Sequence, residues 1–205
     1  MMRKIYVIRH GETDWNLEGK MQGQTDTPMN DTGRSQARKL ALELKDALPF
    51  DKIVSSHLSR ARETAEIIAE SHNTAIHLDE GFSEMGFGEW EGTLFTDQRR
   101  KWPRESRAWS EDGDFRGPGG ETVEGLIERV WTRFTRWADM DDYQKMAIVT
   151  HGSAGRALLC ALIGEPARNL NLYTFKNTEY YVVNVERAGD YSIEDRSFVR
   201  RVVRK

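Results

Sequence analysis

Apolar residues recur along this chain in short continuous runs and in helical rhythm by turns. Ile5-Tyr6-Val7-Ile8 is a continuous run that stops at Arg9-His10-Gly11, the pattern of a buried strand feeding a loop. From Asp31 or Thr32, either of which is a suitable cap, Ala37, Leu40, Ala41, Leu44 and Leu48 return at helical spacing. Lys52-Ile53-Val54-Ser55 predicts a second short strand, and Ala61, Ala65, Ile68 and Ala69 a helix after it. A weaker strand is expected at residues 75–78. Residues 80–120 hold Trp90, Trp102, Trp109 and many glycines without a period, and are expected to be irregular. Val123, Leu126, Ile127, Val130, Phe134 and Trp137 define an amphipathic helix. Met146-Ala147-Ile148-Val149-Thr150 is a strong strand entering His151-Gly152, and the helix through residues 158–163 closes at Gly164. Residues 180–185 and 193–203 predict two late strands, a hairpin turning near Gly189-Asp190.

Strand alternating with helix predicts an α/β fold, a three-layer α/β/α sandwich around a mostly parallel sheet. With 205 residues and neither repeat nor linker, residues 1–205 are expected to form one domain. Composition narrows the classes. Hydrophobic residues at 38% and charged residues at 31% suit a globular chain, and a net charge of −3 argues against a general affinity for nucleic acid or anionic membrane. One cysteine, Cys160, excludes an internal disulfide and a cysteine-rich zinc site, and its leucine and alanine neighbours predict a buried small hydrophobe. The apolar run at the N-terminus is too short for a signal-peptide core, no window approaches a membrane span, and a cytoplasmic protein is expected.

Ligands of such sheets gather at the carboxyl ends of the strands. That rule selects Arg9-His10-Gly11-Glu12-Thr13, Ser55-Ser56 with Arg60 one turn further on, and Thr150-His151-Gly152. Two histidines and two arginines then converge on one rim. Arg9 to Thr13, followed by Asn16, resembles the opening motif of the histidine phosphatase superfamily, which includes cofactor-dependent phosphoglycerate mutase. The resemblance continues through Gln22-Gly23, Asp26, Pro28, Gly33, Gln36-Ala37, Ser55-Ser56, Leu58, Arg60-Ala61 and Thr64-Ala65. It extends to Glu84, Phe87-Gly88, Trp90-Glu91-Gly92, Pro118-Gly119-Gly120-Glu121, Thr150-His151-Gly152 and Arg156, in order along nearly the whole chain. His57, Met29 and Ser153-Ala154-Gly155 depart from the common pattern, and only the last is placed to shape a pocket.

The residue types suit phosphate chemistry. Guanidinium groups clamp phosphate oxygens with paired planar donors, which nominates Arg9 and Arg60. Neutral imidazole is nucleophilic, so His10 would attack phosphorus while its other nitrogen donates to a fixed acceptor, a loop carbonyl by expectation. His151 would add a donor, and positive charge where protonated. The resemblance implies that Glu84 gives the leaving oxygen its proton, with Glu89 and Glu91 as neighbouring rivals. It also implies that Asn16, Gln22 and a backbone donor at Gly152 or Ser153 face the substrate. Glu12 reads as a structural partner, Arg156 as a partner for a carboxylate, and His57, His72 and His77 as surface or packing residues.

Residues 84–118 are expected to form a lid. There Trp90, Phe95, Trp102, Trp109 and Phe115 interleave with Arg99, Arg100, Lys101, Arg104 and Arg107. The plain reading is a solvated charged face with tryptophans packed inward; the sharper one gives an arginine there a second anionic group of the substrate. The resemblance thus implies a phosphatase for small phosphomonoesters, acting through a phosphohistidine on His10 with no cofactor or metal, as monomer or homodimer. Phosphoglycerate mutase-type transfer and a weakly active phosphate-binding or signalling domain are the alternatives. The family phosphatases take sugar phosphates, ribazole phosphate or phosphoserine, and the sequence does not choose among them.

Overall fold

A computed structural model of the protein describes residues 2–44, 47, 49–70, 74–111 and 117–195. Its strands are β1 (Arg3–Arg9), β2 (Lys52–Ser55), β3 (Ile76–Leu78), β4 (Lys145–Thr150), β5 (Tyr180–Arg187) and β6 (Asp190–Asp195). They form one sheet in the order β3-β2-β4-β1-β5-β6. The first four strands run parallel, and β5 is antiparallel to both of its neighbours.

The central strands are buried on both faces, which is why they read as unbroken apolar runs. Alternation divides them between two cores. Ile5 and Val7 of β1 and Met146 and Ile148 of β4 face one core, with Leu126, Val130 and Phe134 of helix α6 (Val123–Ala138) and Leu158 of α7 (Gly152–Ile163). Ile8, Ala147 and Val149 face the other, with Leu40 of α2 (Asp31–Glu43) and Ala61, Ala65 and Ile68 of α3 (Ser59–Ala69). The three layers are those expected. Phe134 is fully buried, and truncating it to alanine would cost about 3–5 kcal/mol.

Topology places the site. From β1 the chain moves over to β2 and β3, returns to β4, then crosses to β5 on the far side of β1. The crevice between the carboxyl ends of β1 and β4 is therefore a switch point, where open α/β sheets hold ligands. Arg9 pairs in register with Thr150, so His10 and His151 leave adjacent strands at the same level.

Some details differ from the sequence reading. Residues 80–120 are not wholly irregular: besides 3₁₀ turns at Glu80–Phe82 and Gly88–Trp90, they hold α4 (Phe95–Lys101) and α5 (Pro103–Glu111). Each is too short to show a helical period in sequence. Packing holds them instead: Trp102 lies against buried Trp90 with ring centroids 6.4 Å apart. A five-residue helix, α1 (Asp14–Glu18), was hidden for the same reason; Thr13 and Asn16 close a capping box at its start. The cap of α2 is Asn30, whose side chain accepts from Gly33 N–H, rather than Asp31 or Thr32. The late hairpin turns at Gly189 as expected, with β6 ending at Asp195. Leu48, His72, Phe115 and residues 196–203 lie outside the described residues. Among the described residues, no helix is long and apolar enough to cross a membrane.

Candidate active site

A cavity of about 510 Å³ opens over the switch point. Arg9, His10, Asn16, Gln22, Arg60, Glu84 and Gly152 line it, so most of the predicted site residues meet there. His151 lies directly behind, its ring centroid 5.1 Å from that of His10.

His10 leaves β1 with its backbone N–H bonded to the Thr150 carbonyl at 3.0 Å. Its Nδ1 lies 2.6 Å from the Gly11 carbonyl oxygen, which can only accept. Nδ1 therefore carries the proton, and Nε2 keeps its lone pair for the cavity. The loop carbonyl anticipated from chemistry is that of Gly11. Burial, with Arg60 and Arg9 adding to it, holds the His10 pKa well below the usual 6.5. The imidazole is neutral near pH 7.

The two arginines are fixed by carbonyls. Arg60 is fully buried; its Nη2 donates to Gly23 O at 2.7 Å, its Nη1 to Thr25 O at 2.9 Å, and its Nε to His151 Nδ1 at 3.2 Å. Arg9 Nη1 donates to Phe175 O at 2.6 Å, while its buried Nε has no partner. Burial pushes both guanidinium groups down to about 10, and the Glu84 carboxylate works against that shift in each. Both remain cations at neutral pH. Two desolvated cations around a neutral imidazole favour an anionic ligand.

His151 differs from expectation. Its Nδ1 accepts from Arg60, and its Nε2 lies 2.8 Å from Ser56 Oγ, so both nitrogens are engaged within the protein. Burial, then Arg60, His10 and Arg9, hold its pKa well below 6.5. The positive charge considered for it is thus absent near neutral pH.

Glu84 sits at the N-terminus of α7. Its carboxylate accepts from Ser153 N–H at 3.0 Å, Ala154 N–H at 3.1 Å and Met85 N–H at 2.9 Å. The Ser153 N–H proposed for phosphate is thereby committed to Glu84. Gly152 stays close to the clamp, since a Cβ there would lie 3.4 Å from Arg9 Cζ. Glu84 is the one carboxylate among the described residues lining the cavity. Its rival Glu91 is occupied elsewhere, accepting from Gln24, Thr25 and Phe87 backbone N–H groups. Glu89 does not line the cavity. Glu12 accepts from Asn30 and serves as the structural partner anticipated.

Gln22 accepts from the hydroxyls of Thr13 and Thr27, which turns its amide nitrogen toward the cavity. Asn16 accepts from Asn177 Nδ2, which also donates to His10 O at 3.0 Å. Asn177 and Arg129 were missed in sequence, and Ser56 was placed on the rim without its partner His151. Arg129 donates to the carbonyls of Gly81, Ser83 and Glu84 and pairs with Glu121 at 2.8 Å, fixing the backbone that carries Glu84. In sequence it reads as one more arginine on the polar face of a helix.

Two expectations are corrected. Among the described residues Arg156 forms no salt bridge with a carboxylate, though the Glu84 charge favours its protonated form: it donates to Gly152 O, Ser153 Oγ, Asn171 Oδ1 and Tyr173 O, and it lines the cavity. Arg99, Arg100, Lys101, Arg104 and Arg107 are exposed and none lines the cavity, so the second-anion role considered for them falls away. Trp90 is buried and Trp102 half-buried, while Trp109 and Phe95 reach the cavity wall. His57 approaches Ser83 Oγ at 3.1 Å and His77 packs on Trp137, as surface and packing residues do. Cys160 is fully buried, and burial pushes its thiol up to about 12.

A histidine on a carbonyl leash between two carbonyl-anchored arginines thus sits at the switch point of an α/β sheet, an arrangement suited to an anionic ligand. The chain belongs to the histidine phosphatase superfamily, branch 1, whose family model matches residues 5–194. It is 38% identical over 164 residues to the Bacillus subtilis protein named "Uncharacterized phosphatase PhoE", covering 80% of this chain and 79% of that one. It is 35% identical over 206 residues to the Shigella boydii "Probable phosphoglycerate mutase GpmB", covering 93% and 94%. A solved phosphoserine phosphatase mutant from Entamoeba histolytica, in complex with phosphoserine, superposes with a TM-score of 0.83. The two are 27% identical and cover 94% of this chain and 95% of that one.

Proposed function

We propose that this protein hydrolyses small phosphomonoesters through a phosphohistidine on His10, without a metal ion. The observation that carries the reading is the Nδ1 contact of His10 with the Gly11 carbonyl, which leaves Nε2 unprotonated beside Arg9 and Arg60. In the first step Nε2 attacks phosphorus, the P–O ester bond breaks, and protonated Glu84 gives its proton to the leaving oxygen. In the second, Glu84 takes a proton from water, the resulting oxygen nucleophile attacks phosphorus, and the P–N bond breaks to release phosphate. Arg9 and Arg60 hold the transferring oxygens, so cationic side chains supply the charge stabilisation on which phosphoryl transfer depends. Asn16, Gln22 and the Gly152 backbone border the same space, and His151 orients Arg60. Residues 84–111 contribute one wall and are proposed as the lid.

The names of relatives support a phosphatase and leave the substrate wide, spanning phosphoglycerate and phosphoserine. The test is phosphate release from a panel of monoesters, with chelator present, by wild type and His10→Ala. Turnover that survives chelator and is abolished in the variant supports the reading, with an acid-labile, base-stable protein phosphate trapped on His10. Turnover that persists in His10→Ala refutes the nucleophile. The long match to the named mutase favours a second reading, isomerisation of phosphoglycerate. Formation of 2-phosphoglycerate from 3-phosphoglycerate under bisphosphoglycerate priming, faster than hydrolysis, would select it.

A further inference from the structure

The turn that leads into β5 touches the nucleophile, an arginine of the clamp and Asn16 at once. Residues 176–179 close it, with Glu179 N–H donating to Lys176 O at 3.1 Å. Thr178 stands at its third position with φ 56°, the one non-glycine residue in the left-handed region among those described. Turns that need a positive φ there favour glycine, and a β-branched side chain is strained in that conformation. Such strain persists only where the surroundings over-determine it. Here they do. Thr178 N–H donates to Arg9 O at 3.1 Å, and Glu179 O accepts from Arg9 N–H at 3.0 Å. Just before the turn, Phe175 O holds Arg9 Nη1.

The turn aims Asn177 at the same stretch of β1. Its Nδ2 donates to His10 O at 3.0 Å and to Asn16 Oδ1 at 3.2 Å. A backbone carbonyl only accepts, which fixes the end of the amide that faces it, and both hydrogens of that nitrogen are then spent. The first bond acts on the nucleophile. The His10–Gly11 peptide is held at its oxygen by Asn177 and at its nitrogen by Thr64, whose Oγ1 accepts from Gly11 N–H at 3.1 Å. The carbonyl that leashes the His10 ring belongs to the very next peptide. The second bond acts on Asn16. Its Oδ1 accepts from Asn177 and from Thr13 N–H at 3.2 Å, which leaves its amide nitrogen for the cavity that it lines.

We propose that Asn177 is a positioning residue: one amide fixes the backbone of the nucleophile and keeps Asn16 presenting its N–H groups, not its carbonyl, to the phosphoryl oxygens. The proposal rests on the phosphatase reading, in which Asn16 borders the transferring group, and adds to it a residue that acts through two others. The chemistry asks for an amide here. An aspartate would set oxygens against two oxygens that are already acceptors.

The test is a double-mutant cycle in kcat/KM on p-nitrophenyl phosphate, with Asn177→Ala, Asn16→Ala and the pair. Asn177→Ala should lose about 10–100-fold, the scale of one or two oriented hydrogen bonds. Because Asn177 acts partly through Asn16, the pair should lose clearly less than the product of the single losses. A loss within twofold for Asn177→Ala overturns the proposal. So do losses that multiply in the pair, since Asn177 would then serve the fold independently of Asn16. Should Asn177→Ala fail to fold, isosteric Asn177→Asp replaces it in the cycle: a smaller loss on the Asn16→Ala background than on wild type supports the proposal, and an equal loss overturns it. Should wild type release phosphate from no ester, the phosphatase reading fails by itself. Calorimetry of inorganic phosphate on the same four proteins then decides this inference. Affinity lost in each single variant, and by less than the product in the pair, supports it; independent losses, or none in Asn177→Ala, overturn it.

Discussion

Arg60 donates through Nε to Nδ1 of His151 across 3.2 Å, joining the start of α3 to the end of β4 inside the protein. The contact fixes the His151 tautomer, because a nitrogen that accepts carries no proton; Nε2–H is then the donor to Ser56. Arg60→Lys retains a charge and loses the fork that reaches three partners at once. Its kcat/KM should fall about 10²–10³-fold, on the scale of losing a fixed oxyanion donor. Nitrogen NMR of His151 separates this from simple loss of charge: the wild type should show one tautomer, and the variant a mixture.

Arg129 positions Glu84 without touching the cavity. Three carbonyls, Gly81, Ser83 and Glu84, accept from it, and Glu121 pairs with its far edge. Arg129→Met would free the loop that holds the proton donor. A proton donor matters most when the leaving group is a poor one. The variant should therefore lose about 10²-fold on alkyl phosphates, the scale of general acid catalysis, and much less on p-nitrophenyl phosphate. Equal losses on both would show that the loop matters to the fold alone.

The rim itself was legible in sequence because strands end abruptly. β1 and β4 are apolar to their last residues, and the chemistry follows at once in His10 and His151. Glu84, Gln22 and Asn16 were placed by resemblance, since nothing in their local pattern marks them. What sequence could not give was the partner of each charge. Arg156 and Arg129 are both arginines on helices, yet one lines the cavity among neutral acceptors and the other ties down a loop. Long-range partners such as Asn171 and Gly81 decide between them. The short helices α4 and α5 escaped because packing on Trp90 and its neighbours, rather than period or caps, holds them.

Gly33 opens α2 against the loop behind His10, where a Cβ would collide with the Glu12 carbonyl oxygen and crowd the Glu12 N–H. Both neighbours are backbone, so neither can swing aside. Gly33→Ala should destabilise the protein by about 1–3 kcal/mol, as overpacking does. It should also lower turnover, because Glu12 and Gly11 carry the carbonyl leash of His10. Denaturant midpoints and kcat on p-nitrophenyl phosphate, taken together, check both effects; an unchanged midpoint would show that the loop yields at no cost.

The two histidines make stability depend on pH in a stated direction. Burial keeps His10 and His151 neutral in the folded protein below the pH at which the unfolded chain protonates them, near 6.5. Between the depressed folded value and 6.5 the unfolded state binds more protons, so stability falls as pH falls through this window and is level above it. Each histidine contributes a slope of at most about 1.4 kcal/mol per pH unit. Denaturant midpoints measured from pH 7.5 to 5 should decline more steeply for wild type than for a His10→Gln, His151→Gln double variant. Carboxylates titrate alike in both proteins and cancel in the difference. The same depression bears on catalysis: after correction for the second ionisation of the ester, near pH 6, kcat/KM should show no acid limb at 6.5. A limb there would mean that the nucleophile is protonated like a solvent-exposed histidine, contrary to its burial between two arginines.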